Sequence, residues 1–355
     1  MRIGLIAPPW VPVPPPAYGG TELMIDNLAR GLQELGHSVR LFTVGDSTCP
    51  VPKEYLYRQA VAPIGVTVAE SAHVLAAYEA LADVDLIHDH TFLGPLVAGV
   101  TGIRRPPVVT TNHGPFNDET RPIWNRIANH ASIVCISHSQ ARSSGGVPIA
   151  AVIHHGIDLD VHQPGDGDGE HLMFIGRMSA DKGVHHAVRI AREAGRPLVL
   201  ATKMREPAEL DYFNREVRPL LSSDDATPSE MPLRRRLALL RGAAALLNPI
   251  TWREPFGLVM AEALASATPV LAFPNGAAPE IVDPGRTGFL CRDEEEMISA
   301  VGRIGEIDRD QCRNVAERRF SLQRMARDHE RFYRRVLDRE LADRLPAAGE
   351  SLVSA

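Results

Sequence analysis

Lysine is nearly missing from this 355-residue sequence: of 38 basic side chains only Lys53, Lys182 and Lys203 are lysine, and the rest are arginine. Any lysine therefore stands out against the local usage. Positive charge is in deficit overall, with a net charge of −6 and a pI near 6.2, so no basic field draws in nucleic acid or an anionic membrane surface. Cysteine is also sparse. Cys49, Cys135, Cys291 and Cys312 are scattered, with no CxxC pair and no short-chain disulfide framework, which predicts reduced thiols. No window approaches the ~18 apolar residues of a membrane span, and prolines interrupt the apolar opening MRIGLIAPPW before any cleavage-site pattern. These absences predict a soluble, cytoplasmic protein with neither a nucleic-acid partner nor an integral membrane segment.

What is present is a globular composition, 44% apolar and 23% charged, on a chain long enough for two domains with separate cores. Short β-branched runs alternate with helical patterns. Ile3–Ala7 reads as a strand, and a helix follows from about Thr21 to Leu35, where Leu23, Ile25, Leu28, Leu32 and Leu35 share an apolar face. Gly36-His37 ends that helix and Val39–Val44 is the next strand. Further strands are expected at Leu86–His88, Val108–Thr111, Ile133–Ile136 and Ala151–His154. A polar stretch from Gln163 to Glu170 breaks the pattern, which then restarts: strand Leu172–Ile175, helix Val184–Ala194, strand Leu198–Ala201, and strands at Ala244–Asn248, Val270–Phe273 and Phe289–Cys291. Such alternation predicts an α/β protein with parallel strands and right-handed crossovers. It divides into a unit at 1–162 and a unit at 163–324. A charged amphipathic helix at about 325–345 (its pattern starts near Leu322) comes next, and a disordered tail at 346–355 ends the chain.

Ligands of open parallel sheets bind outside the carboxyl ends of the strands, and the chemistry-bearing residues cluster there. Trp252-Arg253-Glu254-Pro255-Phe256-Gly257-Leu258-Val259-Met260-Ala261-Glu262 follows a strand and opens a helix. Pro255 suits a first helical position, Gly257 lets a ligand approach the backbone, and the helix tip favours a phosphate. Glu254 and Glu262 are eight residues apart, about 12 Å of rise if the span is helical, and each carboxylate can accept from a pair of hydroxyls. In Gly176-Arg177-Met178-Ser179-Ala180-Asp181-Lys182-Gly183, two cations at a strand end are placed to neutralise a diphosphate leaving group. Tyr18-Gly19-Gly20-Thr21-Glu22, between the first strand and first helix, allows close approach to phosphate or sugar.

His88-Asp89-His90 and Thr111-Asn112-His113-Gly114 also follow strands and are expected to face the same crevice, with His113 able to hydrogen-bond a sugar hydroxyl. His88 and His90 look like metal ligands but have no third partner in the pattern. His154-His155 and His185-His186 read as structural or exposed. The Asp-x-Asp pairs Asp83/Asp85 and Asp158/Asp160 fall before a strand and in the linker, so they read as turn and cap residues rather than metal ligands.

Together these segments resemble retaining glycosyltransferases of family 4 with the GT-B fold, two Rossmann-like domains flanking a cleft. The resemblance runs over almost the whole chain: Pro15 to Glu22, Gly36-His37-x-Val39, Asp85–His90, Thr111–Gly114, Ile136-Ser137, His155–Asp158, Gly176–Gly183, Glu254–Glu262 as the family's E-x7-E motif, and Thr268–Gly288 with Gly276, Pro279, Glu280, Gly285 and Gly288 in order. The opening is similar to a bacterial subgroup that includes antibiotic-tailoring enzymes of the orthosomycin (avilamycin) type.

The resemblance implies roles for individual residues. Arg177 and Lys182 bind the diphosphate, and Glu262 binds ribose. Glu254 with the Phe256, Gly257, Leu258 and Val259 backbone holds the donor sugar. His113 lies near the reacting carbon, Gly19 and Gly20 lie beside the phosphates, and the last helix crosses back onto the first domain. It implies a nucleotide diphosphate sugar of UDP or GDP type as donor, a saccharide or natural-product hydroxyl as acceptor, and neither metal nor other cofactor. Two departures stand out: the stretch 221–241 is abbreviated, and Ala267 replaces the glycine expected before Thr268-Pro269-Val270. Two other readings fit the same segments. A nucleotide-sugar epimerase of this architecture would form product without an acceptor, and a non-catalytic sugar-binding module would bind donor without turnover. Donor base, acceptor and oligomeric state have no code in the sequence.

Overall fold

The computed structural model describes residues 1–16, 19–100, 106–222 and 228–344; the expected tail at 346–355, Tyr18 and part of the 221–241 stretch lie outside them. Seven parallel strands form the first sheet: β1 (Arg2–Ile6), β2 (Ser38–Thr43), β3 (Lys53–Tyr55), β4 (Leu86–Asp89), β5 (Val108–Asn112), β6 (Ser132–Cys135) and β7 (Ala151–Val152), in the order β3-β2-β1-β4-β5-β6-β7. Helices α1 (Gly20–Glu34), α2 (Thr67–Ala80), α3 (Gly94–Val100), α4 (Arg121–Ile127) and α5 (His138–Arg142) connect them. Side chains alternate across the sheet. Ile3 and Leu5 face a core with Leu28, while Ile6 and Ile87 face another with Trp124 and Ile127.

Five parallel strands form the second sheet: β8 (Leu172–Arg177), β9 (Leu198–Lys203), β10 (Ala245–Asn248), β11 (Val270–Ala272) and β12 (Gly288–Leu290), ordered β12-β11-β10-β8-β9. Its helices are α6 (Val184–Glu193), α7 (Pro207–Tyr212), α8 (Leu233–Gly242), α9 (Leu258–Ala265), α10 (Ala278–Ile281), α11 (Glu294–Val301) and α12 (Arg309–Phe320). Each sheet with its helices is a Rossmann-like α/β unit, so the α/β, two-unit architecture expected from the alternation is the one observed. The sequence reading lacks β3, a three-residue edge strand with exposed Tyr55.

Helix α13 (Leu322–Arg344) follows the second unit but packs against the first. Met325, Ala326, His329, Phe332 and Tyr333 recur at helical spacing and are buried. A Cβ at Gly31 of α1 would lie 2.8 Å from the Ala326 Cβ, so the two helices meet almost backbone to backbone. The crossing is tied locally as well. Ile157 N–H donates to the Phe320 carbonyl at 2.6 Å, and Leu322 N–H donates to the Ile157 carbonyl at 3.0 Å. Among the described residues no helix is long and apolar enough to cross a membrane.

The departure at Ala267 has a structural cost. Ala267 adopts φ 60°, and it is the only non-glycine with positive φ among the described residues. An L-residue there crowds its Cβ against the following carbonyl, costing roughly 1–2 kcal/mol, which a glycine avoids. Ala267→Gly is therefore expected to stabilise the protein by about 1 kcal/mol in urea unfolding, after allowing for the extra freedom of glycine in the unfolded chain. A lower midpoint for the variant would contradict this account.

Candidate functional site

The carboxyl ends of the two sheets face each other across a cleft of about 320 Å³. From the first unit it is lined by Gly19, Gly20, Thr21, His113, Ile136 and His155, and from the second by Gly176, Lys182, Arg236, Asn248 and the run Glu254–Val259 with Glu262. The N-termini of α1 and α9 meet here: a Cβ on Gly20 would be 3.2 Å from a Leu258 methyl.

The approach to α9 differs from the sequence expectation. The helix begins at Leu258, not at Pro255, because Gly257 takes a left-handed conformation (φ 91°) as its N-cap. Any side chain at 257 would be strained and would strike Met260 Cε at 2.5 Å. Glu254 and Glu262 are thus not on one continuous helix, and the helical rise between them does not apply. The Leu258 and Val259 amides at the start of α9 have no carbonyl within the helix to bond and lie on the cleft, whereas Met260 N–H donates to the Gly257 carbonyl at 3.0 Å.

Glu254 Oε2 is held from two sides, by a close ion pair with Lys182 and by Trp252 Nε1–H at 3.1 Å. The Lys182 ammonium also lies 5.2 Å from the Trp252 ring centre. Glu254 Oε1 has no protein partner among the described residues. Glu262 is buried at 4% exposure and its Oε2 makes no hydrogen bond. The nearest cation is Arg236, whose Nη2 is 3.8 Å from Glu262 Oε1. A buried carboxylate so poorly compensated is costly and is an acceptor for ligand hydroxyls. Arg177 behaves otherwise. It ends β8, turns its guanidinium to within 3.4 Å of Asp181, remains partly exposed and is not among the residues lining the cleft.

The histidines form a connected set. His113 Nε2 lies 3.0 Å from His90 Nδ1. The His113 ring stacks on His155 (5.5 Å), and His155 meets Phe256 edge-on (5.1 Å), joining the two units. His88 does not face the crevice as expected. It is buried, with Nδ1 2.6 Å from the Tyr333 hydroxyl and Nε2 2.8 Å from Thr111 Oγ1. Burial pushes the His113 pKa down to about 3, those of His73 and His329 to about 4, and those of His88, His90 and His155 well below the usual value. Of the residues expected to be structural or exposed, His155 is not exposed: it is buried and lines the cleft. His154 donates to Glu280 at 2.9 Å, while His185 and His186 pair with Tyr212 and Glu294. Glu280 also accepts from the His138 and Ser139 amides at 2.8 and 2.6 Å, so a second-unit carboxylate caps α5 of the first.

The Asp-x-Asp pairs have local partners, Asp83 with Arg40, Asp85 with Arg2 and Asp158 with Arg30. Arg236 was not singled out by sequence. Its signal is positional: it lies four residues before Leu240, the buried residue of α8, and so on the same helix face.

Comparison with known proteins bears on the family and the fold. A family model described as Glycosyltransferase Family 4 matches residues 18–161, and one described as Glycosyl transferases group 1 matches residues 169–306. The chain belongs to the GT-B glycosyltransferases. It is 31% identical over 172 residues to a D-inositol 3-phosphate glycosyltransferase of Mycobacteroides abscessus, a match covering 43% of this chain and 38% of that protein. The chain thus spans less than half the length of that relative. Over a 402-residue alignment it is 26% identical to an MMP alpha-(1->4)-mannosyltransferase of Mycolicibacterium hassiacum, covering 91% and 96% of the two chains. Its structure superposes with a TM-score of 0.71 and 26% identity on AviGT4, a glycosyltransferase involved in avilamycin A biosynthesis, covering 95% and 98%.

Two predictions follow from the site of this glycosyltransferase. Arg236→Ala is expected to weaken nucleoside diphosphate binding about tenfold, the scale of one charge-assisted contact. Titration calorimetry with UDP and GDP reads this directly, and unchanged affinity for both would remove Arg236 from the site. The second concerns pH. Six of the depressed histidines, those named above, are neutral when folded but titrate near 6.5 when unfolded, so below that pH the unfolded chain binds more protons and stability falls. Each contributes a slope of about 1.4 kcal/mol per pH unit until its folded pKa is reached. Asp89, raised by burial to about 7, and Glu22, also raised, act in the opposite sense but are outnumbered. The thermal midpoint should drop steadily from pH 7 to pH 5; a rise would refute the neutral cluster.

Proposed function

We propose that this glycosyltransferase moves a glycosyl group from a nucleoside diphosphate sugar of UDP or GDP type to a hydroxyl of a saccharide or natural-product acceptor, with retention of configuration and without a metal ion. The observation that carries the donor assignment is Glu262. A buried carboxylate with an unpartnered oxygen, beside Arg236 and one helix from Lys182, fits the vicinal hydroxyls of a ribose whose diphosphate reaches the tip of α9. Units 163–324 and 1–162 serve donor and acceptor respectively. The relationship to AviGT4 favours a natural-product acceptor.

In this reading Lys182 and the first-turn amides of α9 draw off the charge of the departing diphosphate, with Arg177 turning from Asp181 to join them. The bond from the anomeric carbon to the phosphate oxygen breaks as the acceptor oxygen bonds to the same face. The acceptor proton passes to the leaving phosphate oxygen. Gly19 and Gly20 let the phosphates approach the first unit. Glu254 Oε1 and the Phe256–Val259 backbone hold the sugar, and His113 stands beside the reacting carbon.

Glu262→Ala should weaken donor binding at least tenfold with a smaller effect on turnover, whereas Lys182→Ala should lower kcat about a hundredfold. Steady-state kinetics with a matched donor separates the two. Wild-type rates in both variants would sink the site assignment, and an inverted anomeric proton in the NMR spectrum of the product would sink retention.

A further inference from the structure

The contact between His90 and His113 decides which nitrogen of His113 meets the ligand. Both rings are neutral, so the 3.0 Å contact from His90 Nδ1 to His113 Nε2 shares one proton. His90 Nε2 is buried and has no hydrogen-bond partner. If His113 supplied the shared proton, the proton of His90 would sit on Nε2 as a buried N–H with no acceptor. Such orphan donors are rare and cost about 1–3 kcal/mol. If His90 supplies it, the buried Nε2 carries only a lone pair.

The His90 ring is held for this task. The backbone N–H of His90 donates to the Ile6 carbonyl of β1 at 2.9 Å, and its ring centre lies 4.0 Å from that of His88. His88 is in turn fixed at both nitrogens by Tyr333 of α13 and Thr111 of β5.

We propose that His90 is a positioning residue that locks His113 in the Nδ1–H tautomer, so that His113 presents a hydrogen-bond donor to an oxygen of the reacting sugars. With Nε2 occupied by His90, Nδ1 is the one ring nitrogen of His113 without a protein partner among the described residues. His113 lines both the donor cleft and the adjoining first-unit cavity that holds His90, Asn112 and Trp124. An accepting nitrogen there would favour binding through a ligand O–H, whereas a donating one stabilises an oxygen as it gains charge. The catalytic consequence rests on the reading of His113 given under Proposed function; the tautomer does not.

Two-bond ¹⁵N–¹H correlation on histidine-labelled protein reads the tautomer without substrate. The wild type should show His113 as the single Nδ1–H form. His90→Asn, whose amide can still donate to His113 Nε2, should keep that form and most of the turnover. His90→Phe, which fills the space without a donor, should shift His113 towards the Nε2–H form and lower kcat about ten- to a hundredfold at nearly unchanged donor KM. An Nε2–H tautomer in the wild type, or an Nδ1–H form that persists unchanged in His90→Phe, would overturn the assignment. A chain whose His113 tautomer follows residue 90 but which transfers no sugar would support the lock while refuting the transferase reading.

Discussion

The ion pair between Lys182 and Glu254 ties together the two loops on which the second unit's half of the cleft is built. One loop leaves β8 and the other leaves β10, and these strands are neighbours in the sheet. With Trp252 adding a hydrogen bond and a ring face to the same group, the loops cannot separate without unpairing a largely buried charge. The entry to α9, the left-handed Gly257 and the position of Glu262 one turn further along all take their place from that anchor. The pair also sets what a ligand meets: the ammonium is already engaged on one side, and Glu254 offers its free oxygen on the other.

Polar atoms are left incompletely satisfied on both sides of the cleft. Glu262 Oε2 on the second unit and His90 Nε2 and Asn112 Nδ2 on the first are buried without partners. Native interiors tolerate few such atoms, and these line the cleft or the cavity beside it. Leaving such atoms unpaired costs stability, and ligand hydroxyls and phosphates are groups that can offset that cost.

The parallel sheets, their crossovers and most strand positions were legible in the sequence because buried parallel strands are nearly continuous apolar runs. Edge strand β3 was not, since Lys53-Glu54-Tyr55 has no such run. The E-x7-E segment pointed to residues that line the cleft, but the geometry drawn from it assumed an unbroken helix; only the backbone conformation at Gly257 shows that the helix starts at Leu258. Arg236 was hidden among three consecutive arginines, where composition gives no clue to which one turns inward. His155 and His90 were visible as strand-end histidines, yet their contacts depend on residues far away in sequence: Phe256 and the helix carrying Tyr333. The unexpected Ala267 was legible as a departure, and its positive φ shows why glycine suits that place.

The two chain crossings between the units run side by side. The segment around Ile157 and the segment around Ser321 exchange backbone hydrogen bonds, and Asn27 and Arg324 bind the carbonyls next to them, at Gly156 and at His154 and His155. A relative movement of the two units therefore has to bend both crossings at once, or first break the hydrogen bonds that pair them, so the groups facing each other across the cleft are kept in register by two passes of the chain rather than one.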